Sequence, residues 1–105
     1  MVRAAIVLSI LVPLVSTSGA AAQSFNCRYA KTPSENLICD NPDLARLDEE
    51  MAAAYFGLDP RTQRAESRRQ SRFLAARERC GYDYGCVAGT YRQRIDSLYR
   101  LSNDF

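Results

Sequence analysis

Apolar residues recur along the chain at spacings of three and four, and no stretch alternates apolar and polar positions as a β-strand would. The clearest run predicts an amphipathic helix over about 42–57. Its members are Leu44, Leu47, Met51, Ala54, Tyr55 and Leu58. The pattern therefore predicts an all-α protein, a small bundle or hairpin of three to four helices.

Capping residues followed by proline mark the starts of the first two helices. Residues 32–35 read Thr-Pro-Ser-Glu, a capping box with proline in the first turn, and predict a short helix that ends near Cys39. Asn41 before Pro42 predicts the cap of the second helix. That helix should end near Gly57.

Two further helices are predicted in the second half of the chain. Asp59 before Pro60 starts a third helix, which should extend to about Cys80. Its first half is polar on almost every side, so we expect that half to be weakly held. Asp83 can cap a fourth helix, whose apolar side continues to about Ser102.

The amino terminus has the three parts of a secretory signal peptide. A single basic residue, Arg3, precedes an uncharged apolar run over 4–15, and small residues follow. The run is short for a membrane span, which leaves an uncleaved anchor as the weaker alternative. We predict a signal peptide over 1–22 and one mature domain over 23–105, with no transmembrane span after cleavage.

Export implies the periplasm or the outside of the cell, which are oxidising compartments. There the cysteines Cys27, Cys39, Cys80 and Cys86 should form two disulfides, which a domain of this size needs. Three pairings are open, and we favour Cys27 with Cys39 and Cys80 with Cys86 because both are local. The absence of histidine and of closely spaced cysteine pairs disfavours zinc and redox chemistry. Lipidation of Cys27 is disfavoured because the small apolar residues it requires do not precede it.

Charge is unevenly distributed although the net charge is only +2, or +1 without Arg3. Residues 35–50 contain six acids and one base, and residues 61–79 contain seven arginines and two acids. We expect the two segments to lie against each other, with most arginines solvated or paired and Arg77 as the main structural partner. The alternative is an envelope module that binds anionic cell-wall or lipid groups through the arginine-rich helix. Its arginines are Arg61, Arg64, Arg68, Arg69, Arg72, Arg77 and Arg79.

The residues do not indicate an enzyme. Without histidine no ordinary nucleophilic triad can form, and the adjacent acids Asp48, Glu49 and Glu50 point in different directions on a helix. We expect no catalytic residue, no metal and no cofactor. An exported protein seldom meets nucleic acid, so the arginines do not indicate a nucleic-acid partner.

A set of features spread over nearly all of 23–105 forms a recognisable pattern. The features are the opening Cys27, Thr32 with Glu35, Ile38-Cys39, Leu44 with Leu47-Asp48, Tyr55, Gln70, Arg77 before Cys80, Cys86, and Tyr91 before Arg94-Ile95. In these features the chain resembles the LprI-like lysozyme inhibitor amino-terminal domain family. Two features depart from the family pattern, Phe73 where tryptophan is usual and a short segment between Tyr55 and Gln70. The resemblance implies a bacterial envelope or secreted protein, and some family members are described as inhibiting lysozyme.

If the partner is a lysozyme, the loop between Cys80 and Cys86 is the first candidate surface. Tyr82 and Tyr84 offer rigid contact area, and Asp83 could face basic groups on the enzyme. The competing interpretation is that Asp83 only caps the last helix and one tyrosine packs on the core. A second, weaker candidate surface is formed by the neighbouring acids Glu49 and Glu50.

Overall fold

The structure is a computed structural model and describes residues 24–103; the predicted signal peptide, 1–22, lies outside the described residues. A 3₁₀ turn and five helices follow one another, and residues 24–103 contain no strand. None of these helices is long and apolar enough to cross a membrane. The predicted all-α class is confirmed. The elements are the 3₁₀ turn Cys27–Tyr29, α1 (Pro33–Asp40), α2 (Pro42–Phe56), α3 (Pro60–Ala65), α4 (Ser67–Cys80) and α5 (Tyr84–Asn103).

The predicted third helix is two helices, so that prediction was wrong in detail. The chain bends at Glu66, which ends α3 and precedes α4. No residue of α3 is buried, as its polar sequence led us to expect. Glu66 itself is buried, and its carboxylate meets Arg94 of α5 at 3.1 Å. The bend therefore coincides with an ion pair between residues far apart in the sequence.

The predicted helix starts are largely confirmed. Thr32 Oγ1 accepts a hydrogen bond from the Glu35 backbone N–H at 3.2 Å, and the Glu35 side chain accepts one from Thr32 N–H. Asp59 accepts from the backbone N–H three residues on, at 3.0 Å. Asn41 occupies the cap position of α2 but makes no capping bond; its side-chain amide donates to the Leu37 carbonyl at 2.8 Å. The Asn41 side chain therefore hydrogen-bonds a free carbonyl at the end of α1 instead of a free N–H group at the start of α2.

The core lies where α2, α4 and α5 meet, with α1 packed over it. Phe73 and Tyr91 pack edge to face with ring centroids 5.1 Å apart, an arrangement that aromatic pairs favour. Successive contacts between α2 and α5 advance along both helices, so the two run parallel, whereas α4 runs antiparallel to α5. The buried hydrophobic side chains are Ile38, Leu44, Met51, Ala52, Phe73, Val87, Ala88, Tyr91, Ile95 and Leu98.

The disulfides are paired as the sequence favoured. Cys27 is bonded to Cys39, with Cα atoms 5.8 Å apart, and fastens the 3₁₀ turn to the end of α1. Cys80 is bonded to Cys86, with Cα atoms 5.5 Å apart, and closes the turn between α4 and α5. Gly81 makes that turn possible because its φ of 61° lies in the left-handed region.

Candidate functional site: an acid and tyrosine surface

The closed loop between α4 and α5 presents its side chains to solvent. Tyr82 is 70% exposed and Tyr84 is 41% exposed, so neither tyrosine is buried in the core. Asp83 is also exposed, and its Oδ1 accepts from the Cys86 backbone N–H at 3.0 Å. The predicted capping role of Asp83 is confirmed. The capping bond holds its carboxylate in place and leaves it accessible.

Tyr84 is anchored to the start of α2. Its hydroxyl donates to Asp43 Oδ2 at 2.7 Å. This bond holds the pKa of Asp43 below its ordinary value, and it raises the pKa of Tyr84 because it favours the protonated hydroxyl. The loop is thus fixed twice, by its disulfide and by Asp43.

The two acids of the second predicted surface are separated by the structure. Glu50 is exposed and accepts a hydrogen bond from the hydroxyl of Tyr99, and this bond raises the pKa of Tyr99. Glu49 is half-buried and is rotated by about 100° around α2 from its neighbour. Glu50, but not Glu49, therefore faces α5.

Two hydrogen-bonded pairs, Tyr84 with Asp43 and Tyr99 with Glu50, bridge α2 and α5, and we call these four residues the acid–tyrosine ridge. Asp43 and Glu50 are seven residues apart, which places them on one side of α2 about 10 Å apart. The ridge connects the loop and Glu50, which the sequence presented as separate candidates. It ends at Tyr82 and Asp83.

Asp43 and Tyr99 were missed as site residues by the sequence analysis. The seven-residue spacing of Asp43 and Glu50 could have indicated that the two acids share one face of α2. Which residues of α5 lie opposite them depends on how the two helices pack. That relation is set by the buried groups between them.

Asp48 is the central buried group. It is fully buried and accepts hydrogen bonds from the Tyr91 hydroxyl at 2.6 Å and from the backbone N–H and hydroxyl of Ser24 at 2.7 and 2.6 Å. Arg77 donates to the Tyr91 oxygen at 3.3 Å and lies 4.0 Å from the Asp48 carboxylate. Burial and the nearby Asp48 charge raise the pKa of Tyr91 strongly. The network joins α2, α4 and α5 beneath the ridge.

Arg77 is the predicted structural partner of the acidic segment, and the structure confirms it. Its guanidinium lies 3.6 Å from Glu35, 2.8 Å from Glu78 and over the ring of Phe25. Ser34 donates to the same Glu78 carboxylate at 2.6 Å. Partial burial acts to raise the pKa of Glu78, but the hydrogen bonds from Ser34 and Arg77 outweigh it and hold that pKa below its ordinary value.

The remaining arginines of residues 61–79 do not pair with the acidic segment in the described part of the chain. Arg69 pairs with Glu66 of its own segment at 2.8 Å. The other five are exposed and have no ion pair among residues 24–103. Most of the run is therefore solvated, as expected. The five are Arg61, Arg64, Arg68, Arg72 and Arg79.

Within 24–103 no three His, Cys, Asp or Glu side chains lie close enough together to hold a metal ion. Both cysteine pairs are oxidised. The ridge presents aromatic faces and carboxylate oxygens, and tyrosine is enriched among the residues that dominate protein–protein binding energy.

Comparison with known proteins gives one kind of relative. No protein-family model matches the chain, and no solved structure matches it. The chain is 32% identical over 90 residues to the protein named Lipoprotein LprI in Mycobacterium tuberculosis and in Mycobacterium bovis. The alignment covers 82% of this chain and 46% of the relative, so the chain spans about half the length of the curated relatives it matches. These similarities support an LprI-like relationship for the helical domain.

Proposed function

We propose that the mature domain is an exported binding protein of the periplasm or cell exterior that contacts a lysozyme and blocks its cleft. It does so by surface contacts alone, with no cofactor and no chemistry of its own. The resemblance to the LprI-like lysozyme inhibitor family suggests the partner class, and the 32% identity to Lipoprotein LprI supports that resemblance. Neither of them identifies which residues of this chain contact the partner.

The observation that carries the proposal is the exposed and doubly fixed loop at the end of the acid–tyrosine ridge. Tyr82 projects from a turn closed by the Cys80–Cys86 disulfide, and Tyr84 is held by Asp43. The loop backbone at Tyr82 and the side chain of Tyr84 are thus held before binding, and groups that are already ordered lose little conformational freedom on binding, which favours affinity. Tyrosines of this kind are enriched among residues that dominate binding energy.

Electrostatics supports this surface locally. C-type lysozymes are strongly basic with an acidic cleft, so carboxylates on an inhibitor suit the basic surface around the cleft. The ridge contributes Asp43 and Glu50, and the loop contributes Asp83. The net charge of this chain is slightly positive, so any attraction acts through this patch and not through the molecule as a whole.

The test is lysis of peptidoglycan-bearing cells by c-type, g-type and i-type lysozymes, followed as loss of turbidity. Excess purified mature domain should slow lysis by at least one class. Absence of slowing with all three classes would remove the proposal.

A triple variant locates the surface. Tyr82→Ala, Asp83→Ala and Tyr84→Ala together should abolish the slowing while the circular dichroism of the helices is retained. Inhibition that survives the triple change would place the binding site away from the loop.

A further inference from the structure

A cleft of about 480 Å³ lies between α4 and α5, on a side of the molecule that the proposed function does not use. Arg69, Arg72 and Phe73 of α4 line it together with Thr90, Arg94 and Ser97 of α5. On α5 these residues lie on a different side from Tyr84 and Tyr99, because the helix turns by 100° per residue. The cleft is therefore separate from the ridge.

Arg94 is the unusual group in this cleft. It is only 6% exposed, and it donates from Nε to Gln70 at 2.9 Å and from Nη1 to Glu66 at 3.1 Å. Its Nη2 is buried and has no acceptor among residues 24–103. A buried charged donor without a partner is unfavourable, and such groups are rare in folded proteins. An acceptor atom supplied by a ligand would give Arg94 Nη2 its missing hydrogen bond.

The charges around Arg94 are not balanced. Glu66 is shared by Arg94 and by Arg69, and Arg72 has no ion pair in the described part of the chain. Three guanidinium groups and one carboxylate leave an excess of two positive charges at one cleft. A phosphate monoester carries about −1.5 to −2 charges at neutral pH, with several acceptor oxygens that suit the planar guanidinium.

We propose that the cleft between α4 and α5 binds a phosphate monoester, with Arg94 and Arg72 as the principal ligands and Arg69 at its edge. The monoester dianion matches the excess charge. A diester or a carboxylate carries one negative charge and leaves half of that excess uncompensated. The phosphate could be a soluble ester or the headgroup of a lipid, and the experiment separates these sources.

The first measurement is NMR titration of the mature domain at about pH 7.5, above the second pKa of a phosphate ester, with methyl phosphate, dimethyl phosphate and acetate at constant ionic strength. We expect saturable shifts of the Arg94 Nε–H and of backbone amides lining the cleft. Methyl phosphate should bind roughly tenfold more tightly than dimethyl phosphate, since about one charge-assisted contact is lost. Equal affinity for all three anions, or no shifts at the cleft, would overturn the proposal.

Two exposed arginines provide a matched pair of variants. Arg72 lines the cleft, whereas Arg61 lies on α3 and carries the same charge. Arg72→Gln should weaken methyl phosphate binding roughly tenfold, and Arg61→Gln by less than about twofold. Equal weakening by both would show diffuse attraction instead of a site.

A third variant keeps every charge in place. Ala76 also lines the cleft, so Ala76→Leu would fill part of it with an apolar side chain. Methyl phosphate binding should fall while thermal stability is maintained. Unchanged binding in a folded Ala76→Leu protein would contradict binding inside the cleft.

The source of the phosphate is then tested with glycerol 3-phosphate and with vesicles that contain phosphatidic acid. Tighter binding to the vesicles would assign a lipid headgroup. Equal or weaker binding to the vesicles would assign a soluble ester. Binding to either probe upholds the phosphate site, because both present the same monoester, and binding to neither would contradict it.

Discussion

At the scale of single residues, the buried carboxylate of Asp48 is the most consequential feature. A buried charge is unfavourable unless it is well hydrogen-bonded, and Asp48 has the Tyr91 hydroxyl and two donors of Ser24. The Tyr91 oxygen in turn accepts from Arg77. The Tyr91 hydroxyl therefore bridges the guanidinium of Arg77 on α4 and the carboxylate of Asp48 on α2.

Tyr91→Phe should lower the free energy of unfolding by about 1–3 kcal/mol, because it removes a donor from a buried carboxylate and leaves the ring in place. Urea denaturation measures the change. Tyr99→Phe is the matched control: its hydroxyl is also bonded to an acid, Glu50, but at the surface. That variant should change stability by less than about 0.5 kcal/mol. Equal effects would show that the Asp48 network does not stabilise the fold.

Glu78 makes stability depend on pH in the acidic range. Its folded-state pKa lies below the ordinary value of 4.5, so the unfolded chain binds the proton more readily. The stability it contributes is complete above that value and is lost as the pH falls through the folded-state pKa. Glu78→Gln should therefore be less stable than the parent near neutral pH, and the difference in the free energy of unfolding should shrink as the pH falls below 4.5. A difference that stayed constant with pH would contradict this assignment.

Tyr84→Phe tests the link between the loop and α2. The phenyl ring keeps the contact area but removes the hydrogen bond to Asp43. The pKa of the Asp43 carboxyl should rise towards its ordinary value, which NMR titration of its side-chain carbon would show. An unchanged Asp43 pKa would mean that the tyrosine does not hold the acid in solution.

At the scale of elements, local signals predicted most of the fold. The capping box of α1, the apolar spacing of α2 and the cap of α5 at Asp83 all depend on residues near one another in sequence, and the structure contains each. The break between α3 and α4 was not predicted, and it coincides with an ion pair between Glu66 and Arg94 of a distant helix, a contact that no local pattern shows. The ridge was not predicted either, because it depends on contacts between distant parts of the chain: Tyr99 and Glu50 are 49 residues apart.

The two disulfides should differ in what their removal affects. The Cys27–Cys39 bond closes the longer loop, so replacing both cysteines by serine should lower the free energy of unfolding by about 3 kcal/mol. Replacing Cys80 and Cys86 should lower it by about 2 kcal/mol. Only the second pair orders the loop that carries Tyr82, so only that change should weaken lysozyme inhibition in conditions where both variants remain folded. Equal loss of inhibition would mean that stability, and not the loop, determines activity.

At the scale of the whole molecule, negative and positive groups are presented on different sides of α5. The acids Asp43, Glu50 and Asp83 lie on the ridge and its loop. The arginines Arg69, Arg72 and Arg94 line the cleft. A net charge near zero therefore conceals two surfaces of opposite character. The sequence showed the uneven charge and singled out Arg77 as the structural partner, but it did not show that the other arginines of its segment form no ion pair with the acidic segment within residues 24–103.

The most direct test of the proposed binding surface is the affinity of the mature domain for lysozymes of the three classes, measured by calorimetry with two tyrosine variants. Tyr82 and Tyr29 are similarly exposed, at 70% and 67%, and each lies within a disulfide-closed segment, but only Tyr82 lies between Cys80 and Cys86, beside the acid–tyrosine ridge. For the class that binds, Tyr82→Ala should raise the dissociation constant at least about tenfold, and Tyr29→Ala should leave it within about twofold. Absence of binding to every class, or equal losses for the two variants, would contradict the account.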